Sequence, residues 1–253
     1  PAEEAGGLSG RHRVTAVIVA RDGAVWLPAV LTVLGGQTRH PDAVVGVDAG
    51  SSDSSARILT ESLGYDRVVV LDGRDAESGF GSSVNAGLAS VVLKSDSDEA
   101  FDVETTEWVW LLHDDSAPAP GCLERLLAAA DAHPRTAILG PKALGWHDRR
   151  LLLEVGFSIT GAGRRVTGLE RREHDQGQHD DRSEVHAVGT AGMLVRRDVW
   201  DALGGFDPQL PLYRDELELC WRAWRAGHEV RVVPDAVIHH REASYHGRRE
   251  GST

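Results

Sequence analysis

Glu107-Trp108-Val109-Trp110-Leu111-Leu112-His113-Asp114-Asp115-Ser116 is a short apolar run that stops at a histidine and two adjacent carboxylates. Turn residues follow at Ser116, Pro118, Pro120 and Gly121. An apolar segment of this length, closed by turn residues, reads as a strand buried on both faces. In an open α/β sheet, ligands collect outside the carboxyl ends of the strands. Carboxylates placed there can hold a hard divalent cation, which neutralises phosphate oxygens of a bound nucleotide. The same two aspartates can instead cap a helix expected from about residue 121. The motif by itself leaves the two readings level.

Upstream, Val14-Thr15-Ala16-Val17-Ile18-Val19-Ala20 is a second continuous apolar run and predicts a buried strand. Trp26, Leu27, Val30, Leu31 and Leu34 then recur at helical spacing, and Gly35-Gly36 ends the helix. Further strands are predicted over 43–47, 67–71, 108–112 and 137–139. Helices are predicted over 54–63 and 82–93, and one more carries Leu123, Leu126, Leu127 and Ala130. Strand and helix thus alternate from residue 14 to about 140. That alternation predicts an α/β fold: a parallel sheet, right-handed crossovers and helices on both faces. It is a nucleotide-binding kind of half, without the Gly-x-Gly-x-x-Gly turn of a dinucleotide fold.

The pattern changes after residue 140. Glycines at 156, 161, 163 and 168 predict a hairpin, and the polar stretch 170–184 predicts an exposed loop. An apolar strand is expected over 188–195, where the small residues Gly189-Thr190-Ala191-Gly192 let something approach the backbone. Residues 214–226 predict an amphipathic helix whose buried stripe is Leu217, Cys220, Trp221 and Trp224. Two last strands are expected over 229–233 and 236–239. No repeat or linker divides the chain, so one domain over 1–253 is expected. It has a nucleotide-binding half (14–140), an acceptor and catalytic half (141–244), and loose ends at 1–12 and 245–253.

Composition narrows the function. The 253 residues are 41% hydrophobic and 26% charged, as in an ordinary globular protein. A net charge of −12 argues against nucleic-acid binding, which needs a basic face to displace counterions. Much of the acid lies in one solvated stretch, Asp96, Asp98, Glu99, Asp102, Glu104 and Glu107. Two cysteines make no disulfide framework, and a reducing compartment is the simplest reading. No apolar run approaches the roughly 18 residues that cross a bilayer. No signal peptide is visible, and a start at Pro1 rather than Met suggests a piece of something longer.

The expected strands share a chemistry at their ends. The first stops at Arg21-Asp22, the second at Asp48 with Gly50-Ser51-Ser52-Asp53, and the fourth at His113-Asp114-Asp115. Asp53 alone reads as the cap of the helix that follows. Three such endings in one crevice shift the balance toward a ligand bearing phosphates. A second acidic group, Asp215-Glu216 with Glu218, opens the helix near 214, where carboxylates complement the helix dipole. A carboxylate delivered from there to the crevice can serve as a general base. His239-His240 closes a strand and offers a further metal ligand.

Taken in order, these pieces resemble the family 2 glycosyltransferases. Val17-Ile18-Val19-Ala20-Arg21-Asp22 looks like the family's first strand. Gln37-Thr38 with Val47-Asp48-Ala49-Gly50-Ser51-Ser52-Asp53 looks like its Val-Asp-Asn-Gly-Ser-x-Asp segment. Asn85-Ala86-Gly87, Gly192-Met193-Leu194-Val195-Arg196-Arg197 and Gly204-Gly205-Phe206-Asp207 match the next elements. Asp215-Glu216-Leu217-Glu218-Leu219-Cys220-Trp221-Arg222 resembles Glu-Asp-x-Asp-Leu-x-x-Arg. The likeness covers roughly residues 14–244.

The resemblance implies a GT-A fold with a smaller antiparallel lobe on the acceptor side. It implies an inverting, metal-dependent hexosyl- or pentosyltransferase that moves a sugar from a nucleoside-diphosphate sugar to an acceptor hydroxyl. The nucleotide-sugar pocket would comprise Ala20, Asp22, Asp48, Ser51, Asn85 and Asp114. Mn²⁺ or Mg²⁺ would be held by Asp115, His240 and His113, with His239 competing for the place of His240. Glu216, with Asp215, would carry the catalytic base. His113 stands where the family has its first aspartate, Ala49 where it has Asn, and Glu216 and Glu218 where Asp is usual.

The segment 173–178 with Gly189-Thr190-Ala191-Gly192-Met193 also resembles glycosyltransferase domains at the front of large actinobacterial membrane proteins. That likeness implies a cytoplasmic domain at the inner face of the plasma membrane, attached to a membrane region in the full-length protein and acting on a cell-envelope glycan or lipid-linked acceptor. Two alternatives stand beside it. His113 motivates a catalytically inactive module that binds a nucleotide or a partner. A sugar nucleotidyltransferase would want a Gly-rich, basic phosphate loop after the first strand, which Ala20-Arg21-Asp22-Gly23 supplies poorly.

Overall fold

The computed structural model describes residues 11–72, 79–92, 105–161, 164–207, 210 and 215–243. Residues 96–104 of the acidic stretch, the loop 211–214, residues 1–10 of the expected loose end 1–12 and all of 245–253 lie outside them, whereas Arg11, His12 and Glu107 belong to strands and not to a loose end or a solvated loop. Among the described residues, nine strands form one sheet in which β3-β2-β1-β4 is a parallel block. The strands are β1 (Arg11–Ala20), β2 (Ala43–Ala49), β3 (Val68–Leu71) and β4 (Thr105–His113). Helices α1 (Leu27–Gly35), α2 (Ser55–Leu63) and α3 (Gly79–Val92) connect them. The alternation read from the sequence is therefore the architecture. This is an α/β fold with a mostly parallel central sheet.

Strand pleating sorts the core into two halves. Val17 and Val19 of β1 pack with Val109 and Leu111 of β4 on one face, beside Val84 and Leu88 of α3. Ala16, Ile18 and Ala20 pack with Trp108, Trp110 and Leu112 on the other face. There they meet Leu27 and Leu34 of α1 and Leu123, Leu126 and Leu127 of α4 (Cys122–Ala132). Both faces are covered, so Val14–Ala20 of β1, Thr15 apart, and Trp108–Leu112 of β4 are apolar at every position. Cys122 and Cys220 are buried, unbridged thiols, and burial pushes each up to about 12.

The remaining strands extend the sheet beyond β4. β10 (Leu194–Arg196) pairs antiparallel with both β4 and β6 (Thr136–Gly145). β11 (Glu229–His240) runs parallel to β6, and β5 (Ser116–Pro118) lies antiparallel at the edge. β7 (Leu152–Glu154) pairs with β6, and β8 (Ser158–Ile159) with β9 (Arg165–Val166) forms the expected hairpin. Helices α5 (Arg197–Leu203) and α6 (Asp215–Arg225) complete the fold.

Four expectations need correction. The strand expected over 188–195 is confined to Leu194–Arg196, because residues 189–193 turn sharply at Gly192, whose φ is +85°. The two last strands are one, β11, which absorbs an irregularity between Val233 and Val237 around Pro234, a residue with no N–H to give the ladder. Trp221 does not belong to the buried stripe of α6: it is 61% exposed while Leu219, Cys220 and Ala223 are buried. The stretch 170–184 is not merely a solvated loop. Buried Lys142 of β6 donates to Asp175 at 2.9 Å and to Asp180 at 2.5 Å, drawing the loop onto the sheet.

Candidate active site

The carboxyl ends of β1 and β2 are laced together by side chains. Asp22, in the left-handed region at φ +51°, donates its N–H to Ser51 Oγ at 3.0 Å. Its carboxylate accepts from Ser52 N–H at 2.7 Å. Asp53 accepts from Ala24 N–H through Oδ2 and from Ser55 N–H through Oδ1, both at 2.9 Å. It thus accepts the first N–H of α2 from the position before the N-cap, Ser54, rather than capping the helix itself, and ties the neighbouring loop as well. Ser51 donates its own N–H to Asp48 Oδ2 at 3.1 Å.

Asp48 ends this lacing with one oxygen unspent. The residue is 2% exposed, and its Oδ1 has no hydrogen-bond partner among the described residues. A buried carboxylate oxygen without a donor is costly, and this one could accept from a bound group. Ala20 is buried and stands in register with Asp48 on the neighbouring strand.

His113, Asp114 and Asp115 go separate ways. Asp114 continues the face of Trp110 and Leu112 and accepts Arg21 N–H through Oδ2 at 2.9 Å. A Cβ on Gly23 would lie 2.0 Å from that oxygen, so residue 23 must be glycine for the loop to close over the carboxylate. His113 packs against Phe80 of α3, with ring centroids 4.5 Å apart.

Asp115 is 2% exposed. Its Oδ2 accepts Ala243 N–H at 2.8 Å, and Oδ1 lies 3.2 Å from His240 Nε2. The rings of His113 and His240 meet edge to face at 5.1 Å. One ligand atom each from His113, Asp115 and His240 falls within 4.8 Å of the others. Adjacent residues on a strand point opposite ways, and this separates the two final histidines. His239 turns to the Gly145 carbonyl, and burial lowers its imidazole below the usual range. Only His240 joins the cluster. Two imidazoles and one carboxylate form a donor set suited to Mn²⁺ and other first-row divalent metals.

Asp215 and Glu216 open α6 and are both buried. Burial, with Asp215 beside it, pushes the Glu216 carboxyl up to about 8, while Arg165 of β9 pulls the other way. Glu218 instead pairs with Arg222, whose guanidinium also donates to the carbonyls of Leu203 and Gly205. That pair holds the Gly204-Gly205 turn. Asn85 serves the same turn, donating through Nδ2 to the Phe206 carbonyl at 3.3 Å.

Sequence reading passed over Glu154, Arg165 and Lys142, and saw Thr190 only as part of a small-residue run. Glu154 is a buried acid at the end of β7 that accepts Gly189 N–H at 2.6 Å and ion-pairs with Arg165. Its carboxylate is what approaches the small-residue backbone there: a Cβ on Gly189 would lie 2.9 Å from Oε2. The one available signal was an isolated acid in an otherwise apolar strand.

Residues 12–250 match the family model described as glycosyltransferase like family 2. The N-acetylglucosaminyl-diphospho-decaprenol L-rhamnosyltransferase of Mycobacterium tuberculosis (strain H37Rv) is 26% identical over 233 residues, 85% of this chain and 71% of the relative. The pre-mycofactocin glycosyltransferase of the same organism is 26% identical over 79% of this chain and 43% of its own length. GalNAc-T7, solved with UDP, GalNAc and Mn²⁺, superposes with a TM-score of 0.66 at 14% identity, over 90% of this chain and 43% of that one. The mannosyltransferase PcManGT from Pyrobaculum calidifontis, in complex with GDP-Man and Mn²⁺, gives 0.58 at 17% identity, over 98% of this chain and 63% of that one. The chain therefore spans less than two thirds of both solved structures. The shared fold is of the GT-A type.

Proposed function

The chain belongs to glycosyltransferase-like family 2, and on that footing we propose that it is a metal-dependent, inverting glycosyltransferase. It moves a hexosyl or pentosyl group from a nucleoside-diphosphate sugar to a hydroxyl of a cell-envelope glycan or lipid-linked acceptor. The observation that carries this reading is the convergence of His113, Asp115 and His240 from two different strands onto one point at the sheet edge. The acceptor class is supported by the decaprenol-linked substrate in the rhamnosyltransferase relative's name. No helix among the described residues is long and apolar enough to cross a membrane. The lipid-linked acceptor would be met at the inner face of the plasma membrane, as the resemblance to actinobacterial membrane-protein domains implies.

Each residue then has a task. Asp48 accepts a hydrogen bond from the base or ribose through its unspent oxygen, within the loop laced by Asp22 and Ser51. His113, Asp115 and His240 hold the cation. When bound, that cation would supply charge neutralisation for the diphosphate. Ionised Glu216 takes the proton of the acceptor hydroxyl as that oxygen bonds to the anomeric carbon. The bond from that carbon to the phosphate oxygen breaks, and its electron pair leaves with the nucleoside diphosphate. Asp215 and Arg165 set the proton affinity of Glu216 from opposite sides. Asn85 and Asp114 act by shaping the protein around the donor.

The replacement of an aspartate by His113 gave the reason for considering an inactive binding module. Two imidazoles with a carboxylate remain a serviceable ligand set, which weakens that reason. The test is calorimetric titration with a panel of nucleoside-diphosphate sugars, with and without Mn²⁺. Metal-dependent binding of one of them is expected; binding of none would overturn the reading. Tight binding with no transfer or hydrolysis would favour the inactive module.

A further inference from the structure

We propose that Thr190, set in place by Glu154, is a positioning residue that orients His113 for the cation. The inference rests on the metal reading given above. Thr190 Oγ lies 2.9 Å from His113 Nε2. His113 closes a strand, and a ring at a strand end can swing about two side-chain torsions unless something holds it. Phe80 packs beside the ring with the two planes tilted by 50°, a contact without the directionality of a hydrogen bond. The hydroxyl supplies a directional contact that fixes that rotation. Metal-bound histidines commonly have their second nitrogen anchored in this way.

Thr190 is itself held by the turn in which it sits. On its carboxyl side, Gly192 N–H donates to the Leu111 carbonyl at 2.9 Å, and Leu111 N–H donates to the Met193 carbonyl at 2.8 Å. On its amino side, Gly189 N–H donates to Glu154 Oε1 at 2.6 Å. Glu154 is 8% exposed and is held in turn by Arg165, whose guanidinium stacks 4.1 Å from the centre of the Phe157 ring. A buried carboxylate is expensive, and a neutral residue would fill β7 more cheaply. Here its charge-assisted bond to Gly189 pins the turn one residue away from the hydroxyl that meets His113.

The path is therefore Glu154 to Gly189 to Thr190 to His113. It joins the acceptor-side strand β7 to the metal cluster at the end of β4. Glu154→Gln keeps an oxygen that can accept Gly189 N–H, whereas Glu154→Ala removes it. Thr190→Val removes only the hydroxyl, and Thr190→Ser keeps it.

The experiment is Mn²⁺ binding to the nucleotide-free protein, followed by the electron-spin resonance signal of free Mn²⁺, with Mn²⁺ alone as the probe. Thr190→Val and Glu154→Ala should each weaken binding on the order of ten-fold. Thr190→Ser and Glu154→Gln should stay within about two-fold of the unaltered protein. The double variant Thr190→Val/Glu154→Ala should lose little more than either single one, because both cut one path. Unchanged affinity in Thr190→Val, or losses that multiply in the double variant, would overturn the inference and leave the metal reading standing. An unaltered protein that binds no Mn²⁺ would overturn both.

Discussion

His240 Nε2 lies 3.2 Å from Asp115 Oδ1, across 125 residues of chain. The pair joins the end of the last strand to the loop after the fourth. Asp115 is nearly inaccessible, and its second oxygen is taken by Ala243 N–H. The contact thus fixes the carboxylate that faces His113 and brings three side chains able to hold a metal to one point.

Metal preference follows from that donor set. Imidazole suits first-row transition metals, whereas Mg²⁺ favours oxygen ligands and keeps its water. Chelation should abolish transfer. Mn²⁺ should restore it at concentrations on the order of ten-fold below those needed for Mg²⁺. His113→Asp should narrow that gap, and His240→Ala should weaken both metals. Equal activation by the two ions in the unaltered protein would count against the assignment.

Glu216 should show itself in pH dependence. Its carboxyl is held up to about 8, so the ionised form needed for proton abstraction is lost as pH falls below that value. The acidic limb of kcat/KM should therefore lie well above the ordinary carboxylate range. Asp215→Asn should move it down, because Asp215 is one of the groups raising it. Glu216→Gln should cut kcat by roughly 10²–10⁴-fold while leaving donor affinity within about two-fold. Equal loss of binding and turnover would make Glu216 a structural residue.

The same residue links pH to stability. Between the ordinary value of 4.5 and about 8, the native carboxyl keeps a proton that the unfolded chain has lost. Stability therefore falls as pH rises through that window, and the cost is complete above it. Thermal melts should show Glu216→Gln gaining on the unaltered protein from about pH 5 to about pH 8.5. A constant difference across that range would argue against burial of the charge.

Asp48 should matter for the donor and little for the fold. Its Oδ2 holds only the Ser51 turn, and its buried Oδ1 awaits a partner. Asp48→Ala should weaken nucleotide binding by about 1–3 kcal/mol, measured by calorimetry, with a melting temperature near the original.

Lys142 tests the acceptor side. Removing this buried ammonium takes the shared cation away from the half-buried Asp175 and the exposed Asp180. Lys142→Met should destabilise the protein by roughly 2–4 kcal/mol and expose the 170–184 stretch to trypsin at Arg171 and Arg172. Unchanged proteolysis there would mean that the backbone bond from Leu152 N–H to the Glu173 carbonyl holds the loop without it.

The parallel half was open to sequence reading, because strands buried on both faces and helices buried on one carry distinct apolar periods along the chain itself. β1 to β4, α1 and α4 were legible for that reason, and the carboxylates at their ends were legible as a group. What each carboxylate does was decided by the fold. Asp114 and Asp115 are neighbours in sequence, yet one closes the Arg21 loop and the other meets His240. His239 and His240 are split the same way, by which side of β11 each side chain leaves. Trp221 is exposed on a helix whose sequence gave it the look of core. Glu154, Thr190 and Lys142 act on partners 33 to 77 positions away. Local periodicity cannot carry such pairings, since they exist only once β6, β7 and β11 lie side by side. The run ending at His113-Asp114-Asp115 marked one end of the candidate site, and the packing of distant strands around it selected the residues that meet there.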